Sequence, residues 1–265
     1  MTPAGERSGF DARFTPYLRA AEDRHFWFRA RNTVIGSLVR RIVGTLPPRY
    51  RVLEPGCGTG NTLRVLEAEC RPGSVVGMDV QHDGLLFARE RVRAPLVQGD
   101  VACAPFGRSV RFDLIALFDV IEHLDDDTQA LTAIHAMLAP GGAVLLTVPA
   151  DPKLWSSFDV AAHHRRRYTR DTLHGALVSA GFRVEYSSPF MTALYPLAWA
   201  SRRIASRSLS SASGDAAFQS VVRDLRVIPI VNPALTWLLS REAAILAAGR
   251  RLPFGVSLVA IARAD

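Results

Sequence analysis

The sequence predicts an α/β fold: a doubly wound, mostly parallel seven-strand sheet with helices on both faces, a helical segment in front and a helical insertion before the last strand. Three observations carry this. Short β-branched runs alternate with segments of three-to-four-residue apolar spacing between about residues 50 and 190, the pattern of a parallel sheet wrapped by crossover helices. The first run, ending "VLEP", opens directly into the glycine cluster "GCGTG" at 56–60, where a strand turns tightly into a helix. The second and third runs end in aspartates, "VVGMD" at 75–79 and "LVQGD" at 96–100, at the carboxyl edge where ligands of open α/β sheets lie.

The elements follow in order. Residues 11 to 44 read as helical, with Phe14, Tyr17, Leu18 and Ala21 on one apolar spacing and Val34, Ile35, Leu38, Val39 and Ile42 on the next, until "TLPP" stops them. Strands are expected at 51–54, 74–79, 96–98, 112–118, 143–148, 183–187 and 256–263, and helices at 61–70, 82–91, 126–138 and 170–180. Thr169 is placed to cap the last of these helices, and Gly181 and the "APGG" glycines at 139–142 stand where helices end in a left-handed residue. Between 189 and 253 the alternation fails, and the serine-rich "SRSLSSASGD" separates apolar helical segments. The chain thus divides into an N-terminal helical lid (1–48), a core (49–188), an apolar helical insertion (189–253) and a last core strand (254–265).

At 265 residues, 48% hydrophobic and 22% charged, the chain can bury one sizeable core and is too apolar for disorder. Its formal charge is +7, and Lys153 is the one lysine, so nearly all cations are arginines. That bias follows from coding composition or from an anionic partner, but no aromatic-studded recognition segment accompanies it, which argues against nucleic acid. Cys57, Cys70 and Cys103 are odd in number and form no CxxC pair, as suits reduced thiols, and no secretory signal is legible, so a cytoplasmic location is expected. The longest apolar stretches, "PFMTALYPLAWA" and "VIPIVNPALTWLLS", are broken by prolines and fall short of the ~18 to 20 residues of a membrane span.

Glycines between a strand and a helix serve a tight turn, close approach of a ligand to the backbone, and N–H groups aimed outward. The spacing Gly56, Gly58, Gly60 is GxGxG, where a dinucleotide fingerprint needs GxGxxG and a phosphate loop needs a GK pair that is absent here. The acids decide more. Asp79, nineteen positions after Gly60, can accept both hydroxyls of a ribose. Asp100 suits an exocyclic adenine amine, with Val101 against the ring, and Glu54 sets a negative charge where a pyrophosphate would lie. Three acids around one pocket favour a cationic adenosine ligand over an anionic one. Taken singly, each piece has a plainer reading: a tight connection for the glycines, a helix cap for Asp79, a turn for Asp100.

Together, "LEPGCGTG", "GMD", "QGD", "FDLIALFDVIEHLDD" and "LAPGGAVLLTVP", in this order and spacing, resemble the class I, seven-strand S-adenosylmethionine-dependent methyltransferases over roughly residues 50 to 190. The resemblance implies S-adenosyl-L-methionine as cofactor, leaving as S-adenosyl-L-homocysteine, with adenosine bound by Asp79 and Asp100 and the methionine tail along Glu54 to Gly60. The implied cofactor set is Glu54, Gly56, Cys57, Gly58, Gly60, Asp79, Val80, Asp100, Val101 and Phe118. The "HFWF" helix at 25–28 and the "HRRRYT" segment at 164–169 resemble those of an uncharacterised bacterial branch.

Methyl transfer from a sulfonium asks the protein to orient the acceptor, exclude water and, for a hydroxyl acceptor, remove a proton. Glu122 and His123, at the carboxyl edge after the fourth strand, are the candidates for that last task, with a capping or surface histidine as the plainer reading. Some relatives carry an ExxEH variant of this segment associated with a divalent metal; here Asp119 replaces the first Glu while Glu122 and His123 match, and His163 or His164 could add a ligand. No metal is expected. The segment "LWSSFDVAAHHRRRYTRDTL" after the fifth strand offers Trp155, His164, Arg166, Arg167 and Tyr168 as an acceptor wall, its arginines suited to a carboxylate or phosphate, or else as a solvated basic turn. Trp27 on the N-terminal helix joins them as part of a lid. The expected acceptor is a small or lipid-like molecule, most simply methylated at oxygen, with nitrogen or carbon transfer and a non-catalytic cofactor-binding protein as alternatives. The insertion is expected to make the acceptor pocket greasy; alternatively "PLAWASRRIASR" forms a basic amphipathic helix that lies on a membrane face.

Overall fold

The structure, a computed structural model, describes residues 12–107, 109–205, 222 and 225–264. The serine-rich stretch at 206–215 and the first eleven residues of the expected lid lie outside the described residues. Seven strands form one sheet: β1 Arg51–Pro55, β2 Ser74–Asp79, β3 Leu96–Gln98, β4 Phe112–Phe118, β5 Leu138–Pro149, β6 Phe182–Phe190 and β7 Ser257–Ala264. Their spatial order is β3-β2-β1-β4-β5-β7-β6. The strands β1 to β5 run parallel, and β7 lies antiparallel to both β5 and β6. The order reverses between β1 and β4, so the crevice of this sheet opens above those two strands.

Helices cover both faces. On one side lie α1 Thr15–Ala21, α2 Phe26–Val43, α3 Asn61–Glu69 and α4 His82–Arg89; on the other, α5 Asp127–Met137 and α7 Arg170–Ser179. The short α6 is Ser157–Ala161, and α8 Tyr195–Ala205, α9 Val231–Ser240 and α10 Glu242–Ala247 precede β7. Strand residues alternate between the two layers. Val52, Leu114, Ala116 and Leu145 pack toward α2 and α3, while Leu53, Ile115, Leu117 and Leu146 pack toward α5 and α7.

The expected continuous helix over 11–44 is two helices broken at 22–25, because the His25 side chain accepts from Trp27 N and starts α2 afresh. Most of α2 is core: Val34, Ile35, Leu38, Val39 and Ile42 are buried on the sheet. Among the described residues of this segment, those of α1 and the first turns of α2 line the cavity at the carboxyl edge, and the rest of α2 packs on the sheet. Part of the insertion is core as well. α9 and α10 pack on α2, and Asn232 donates to Arg24 O (2.6 Å) and accepts from Phe26 N (2.6 Å), fastening α9 to the break before α2.

β5 begins earlier than expected. Leu138 already pairs with Phe112, and a register shift follows, with Gly141 left-handed at φ 72°. β6 runs on to Phe190 because it follows β7 along its whole length, and its Pro189 is tolerated on an edge strand. Thr169 caps α7 by accepting from Thr172 N, and Gly181 ends it at φ 93°.

Candidate functional site

Above the carboxyl ends of β1 to β5 lies a cavity of about 540 Å³. The strand order spreads its chemistry along one line. Asp100 stands after β3, Asp79 at the end of β2, the glycine loop after β1, Asp119 to His123 after β4, and His164 with Arg167 beyond β5.

Gly56, Gly58 and Gly60 all have positive φ (71°, 50° and 79°), which accounts for glycine at every second position of the loop. A Cβ on Gly56 would strike Val120, whereas one on Gly58 would meet nothing within 4 Å and would project into open space. Asp79 organises this loop: Oδ2 accepts from Gly58 N (2.7 Å) and Oδ1 from Gln81 N (2.8 Å). Burial raises its carboxyl, against the pull of those amides. Each oxygen keeps a lone pair for a further donor. Asp100 accepts from Ala102 N (2.9 Å), so it serves as a turn residue while also lining the cavity.

Glu54 departs from expectation. It is fully buried behind the loop, bonded by Thr62 Oγ1, and does not line the cavity. Burial pushes its carboxyl up to about 8, so it is mostly neutral at pH 7 and does not supply the expected negative charge. Cys57, Gly60 and Phe118 also stand behind the wall: Cys57 and Phe118 belong to the core, and Gly60 is the left-handed cap of α3 beside Ala88. Gly56, Gly58, Asp79, Val80, Asp100 and Val101 do line the cavity.

Arg31 has no part in the sequence reading above. Its side chain lies in the cavity wall, pairs with Asp119 Oδ2 at 2.5 Å, and stands 5.2 Å from the Trp27 ring and 5.7 Å from the Phe118 ring. Its Nε is buried with no hydrogen-bond partner among the described residues. The signal was present in the spacing: Arg31 follows Trp27 by one helical turn, on the same face. Glu22 was missed outright; with Thr59 and Arg91 it latches the end of α1 to the glycine loop.

At the other end, Glu122 is fully buried, and neither carboxylate oxygen has a hydrogen-bond partner among the described residues. Burial, and after it the nearby Asp119, raise its carboxyl well above the usual range, which disfavours the ionised form that a base needs. Burial, with His164 alongside, pushes His123 down to about 3 and keeps that ring neutral. The two imidazoles meet edge to face, 4.8 Å apart.

His164 has the better-built surroundings. Its Nδ1 lies 2.9 Å from Asp159 Oδ1, and the fully buried Asp159 also accepts from Arg167 Nε (2.8 Å), Ser156 N (2.8 Å) and Ser156 Oγ (2.9 Å). Burial alone would raise the Asp159 carboxyl, but the His164 hydrogen bond and the Arg167 charge outweigh it and hold the group below its ordinary value. An ionised Asp159 accepts from Nδ1–H, and in the neutral ring of that tautomer Nε2 is left as an acceptor. Ligand atoms of Glu122, His123 and His164 also lie within 4.8 Å of one another, a set that could hold a metal ion.

Three expected acceptor residues are used elsewhere. Arg166 donates to Leu124 O (3.0 Å) and Asp125 O (2.6 Å) and pairs with Asp127, Tyr168 is buried with its hydroxyl on Asp127 Oδ2 (2.6 Å), and Trp155 is surface-exposed. None of the three lines the cavity, whereas Trp27, His164 and Arg167 do. Arg202 and Leu194 add a wall from the insertion.

Comparison with known proteins agrees with this architecture. A family described as methyltransferase domain matches residues 27–187. The chain belongs to the class I S-adenosylmethionine-dependent methyltransferase family. Relatives of this methyltransferase include a Mycolicibacterium smegmatis protein named as a probable S-adenosylmethionine-dependent methyltransferase, 31% identical over 62% of each chain. Another is the malonyl-[acyl-carrier protein] O-methyltransferase of Enterobacter lignolyticus, 31% identical over 58% of this chain and 64% of that one. A fatty-acid O-methyltransferase of Mycolicibacterium smegmatis is 34% identical over 37% of this chain and 36% of its own. The match spans about three fifths of the length of the first two. Among solved structures, an S-adenosylmethionine-dependent methyltransferase from Thermotoga maritima shares the fold with a TM-score of 0.58 at 15% identity, covering 95% of this chain and 98% of that one.

Proposed function

We propose that this methyltransferase moves the methyl group of S-adenosyl-L-methionine to an oxygen of a small or lipid-like acceptor. The observation that carries the reading is one cavity with two chemically different ends: Asp79 at the end of β2 and Asp100 just after the adjacent β3 at one, and the Asp159-held His164 at the other. The relatives that are named as O-methyltransferases, one of a fatty acid and one of an acyl-carrier-protein-linked malonyl group, support an acceptor of this class.

The residues fit the cofactor. Asp79 retains acceptor capacity for ribose hydroxyls, Asp100 with Val80 and Val101 suits the adenine, and the space beside Gly58 admits a chain laid along the backbone. The buried, under-used Arg31 guanidinium suits the amino-acid carboxylate, and its neighbour Asp119 the ammonium. Bound there, the sulfonium supplies a methyl group already activated for displacement. The protein's own work is at the acceptor. Apolar walls exclude water; for a hydroxyl acceptor His164 Nε2 receives the proton as oxygen attacks, with Asp159 keeping that ring in the receiving tautomer, whereas an ionised carboxylate attacks without a proton to lose. Neutral His123 stands edge to face against the His164 ring.

The test is a labelled-methyl assay of the purified chain against carboxylic acids, phenols and long-chain alcohols, beside titration with S-adenosylhomocysteine and NAD. Label in an ester or ether supports the reading; label in amines or on carbon overturns its oxygen part. Tight S-adenosylhomocysteine binding without any transfer would instead mark a cofactor-binding partner protein. The Glu122, His123 and His164 cluster favours a second reading, in which these three side chains would hold a divalent cation that would lower the pKa of an acceptor hydroxyl, so that solvent could take its proton. Turnover that survives exhaustive EDTA treatment supports the metal-free reading, and loss restored by Mg²⁺ or Mn²⁺ supports the second.

A further inference from the structure

The insertion leaves a surface that the cavity does not use. α9, "VNPALTWLLS", carries no charged residue. Asn232 and Leu239 are buried against the rest of the fold, yet Val231, Ala234, Trp237 and Leu238 are exposed on its opposite side. A helix apolar on both faces, one of them facing water, has an unburied face to account for. The segment leading into it adds to that face: Val227 and Ile228 are exposed, and Ile230 is 85% exposed. On α8, Leu197 is 65% exposed and Trp199 is also at the surface.

Chain neighbours of these side chains on α8 and before residue 226 line the cavity. Ala198, between Leu197 and Trp199 in the chain, lines it, as does Arg202 one turn on. Leu225, which also lines it, leads directly into exposed Arg226 and Val227. The charge of the insertion is one-sided. From 189 to 253 the sequence holds eight arginines against three acids, and of those acids Glu242 is buried, accepting from Met191 N and Thr192 N. Arg226 is exposed, and Arg241 lies 4.5 Å over the exposed Trp237 ring. Exposed tryptophan, aliphatic side chains and arginines together form the chemistry of a surface that settles into an anionic lipid interface. No helix among the described residues is long and apolar enough to cross a membrane, so contact would be from one side.

We propose that this face, formed by α8, residues 225–230 and α9, docks on the surface of an anionic bilayer and turns the cavity mouth toward the lipid. The aliphatic and tryptophan side chains enter the acyl boundary, and the arginines meet lipid phosphates. An acceptor held in the leaflet would then reach the cavity past Ala198 and Leu225 without crossing water. Docking stands on the surface alone and not on the identity of the transferred group, so its test needs neither cofactor nor acceptor.

The test is co-sedimentation of the full chain with vesicles of phosphatidylcholine alone or mixed equally with phosphatidylglycerol, at low and high salt. The expected result is retention on the mixed vesicles, weakened by salt and by omission of the anionic lipid. Ile230→Asp with Trp237→Asp should abolish retention while leaving S-adenosylhomocysteine affinity unchanged. Should that variant fold poorly, Arg226→Glu and Arg241→Glu should each weaken retention by about fivefold. Absence of retention on anionic vesicles overturns the proposal, as does retention indifferent to both pairs of substitutions. A chain that is dimeric by light scattering, becomes monomeric on Ile230→Asp with Trp237→Asp, and ignores vesicles would show that a second copy covers this face instead.

Discussion

The two halves of the sheet edge are built differently. At β1, β2 and β3 the ligand-facing groups come from the strand ends and the loops that directly follow: Gly56, Gly58, Asp79, Asp100. At β4 and β5 they come from longer connections held by distant partners, with His164 fixed by Asp159, Arg167 by Asp159 and Ala150 O, and Arg31 brought in from the N-terminal helix to Asp119. The first half is a local device that the backbone makes from a few residues in a row. The second is a tertiary device whose parts have no meaning until the fold brings them together, and this is where one cofactor scaffold is free to take different acceptors.

The comparison can be broken most forcefully at the acceptor end. His164→Gln should lower kcat by roughly 10²- to 10⁴-fold, the usual worth of a positioned base, with S-adenosylhomocysteine affinity unchanged by calorimetry. Asp159→Asn should lower kcat in the same direction with little change in acceptor KM, since it acts through the ring that it orients. Equal losses of cofactor affinity in either variant would show that the two halves are not separable. At the cofactor end, Asp79→Ala should weaken S-adenosylhomocysteine by roughly a hundredfold, about 3 kcal/mol, because a carboxyl acceptor is removed and two loop amides lose their anchor. Asp79→Asn, which keeps part of that anchoring, separates ligand contact from loop integrity.

Glu54 gives a subtler test through pH. Burial lifts its carboxyl from 4.5 to about 8, so the folded protein holds a proton that the unfolded chain releases. The stability tied to this raised group is fully present below pH 4.5 and is lost as pH rises through about 8. Denaturant melts of the parent chain should therefore lose ground against Glu54→Gln across that window; parallel curves would mean that Glu54 is ionised in the fold. The smallest effect is expected from Arg166→Ala. Cofactor affinity and kcat should stay put, with about 1 kcal/mol of stability lost with its bonds to Leu124 O and Asp125 O.

The same division explains what could be read from the chain. The strand limits at β2, β3 and β4, the glycine loop and the two aspartates are legible because each is a short pattern with its own mechanical reason. Glu54 was legible as part of the motif but not as a neutral group, since its ionisation depends on burial by layers far away in sequence. In "HHRRRY", nothing local decides that Arg167 faces the cavity while Arg166 and Tyr168 turn to Asp127; the bridge between Ala150 and Tyr168 decides it. Asp159 drew no attention because a lone acid five residues before His164 says little until α6 places it at the ring. The helix break at 22–25 hid Glu22 for a similar reason, as its partners Thr59 and Arg91 lie in other elements.

The most direct test of the central claim is a crystal structure with S-adenosylhomocysteine bound. The account predicts the ribose on Asp79, the adenine beside Asp100 and Val101, the amino-acid carboxylate on Arg31, and the sulfur pointing toward His123 and His164. A ligand with its adenosine beyond β4 and its tail toward β3, or bound outside this cavity altogether, would contradict it.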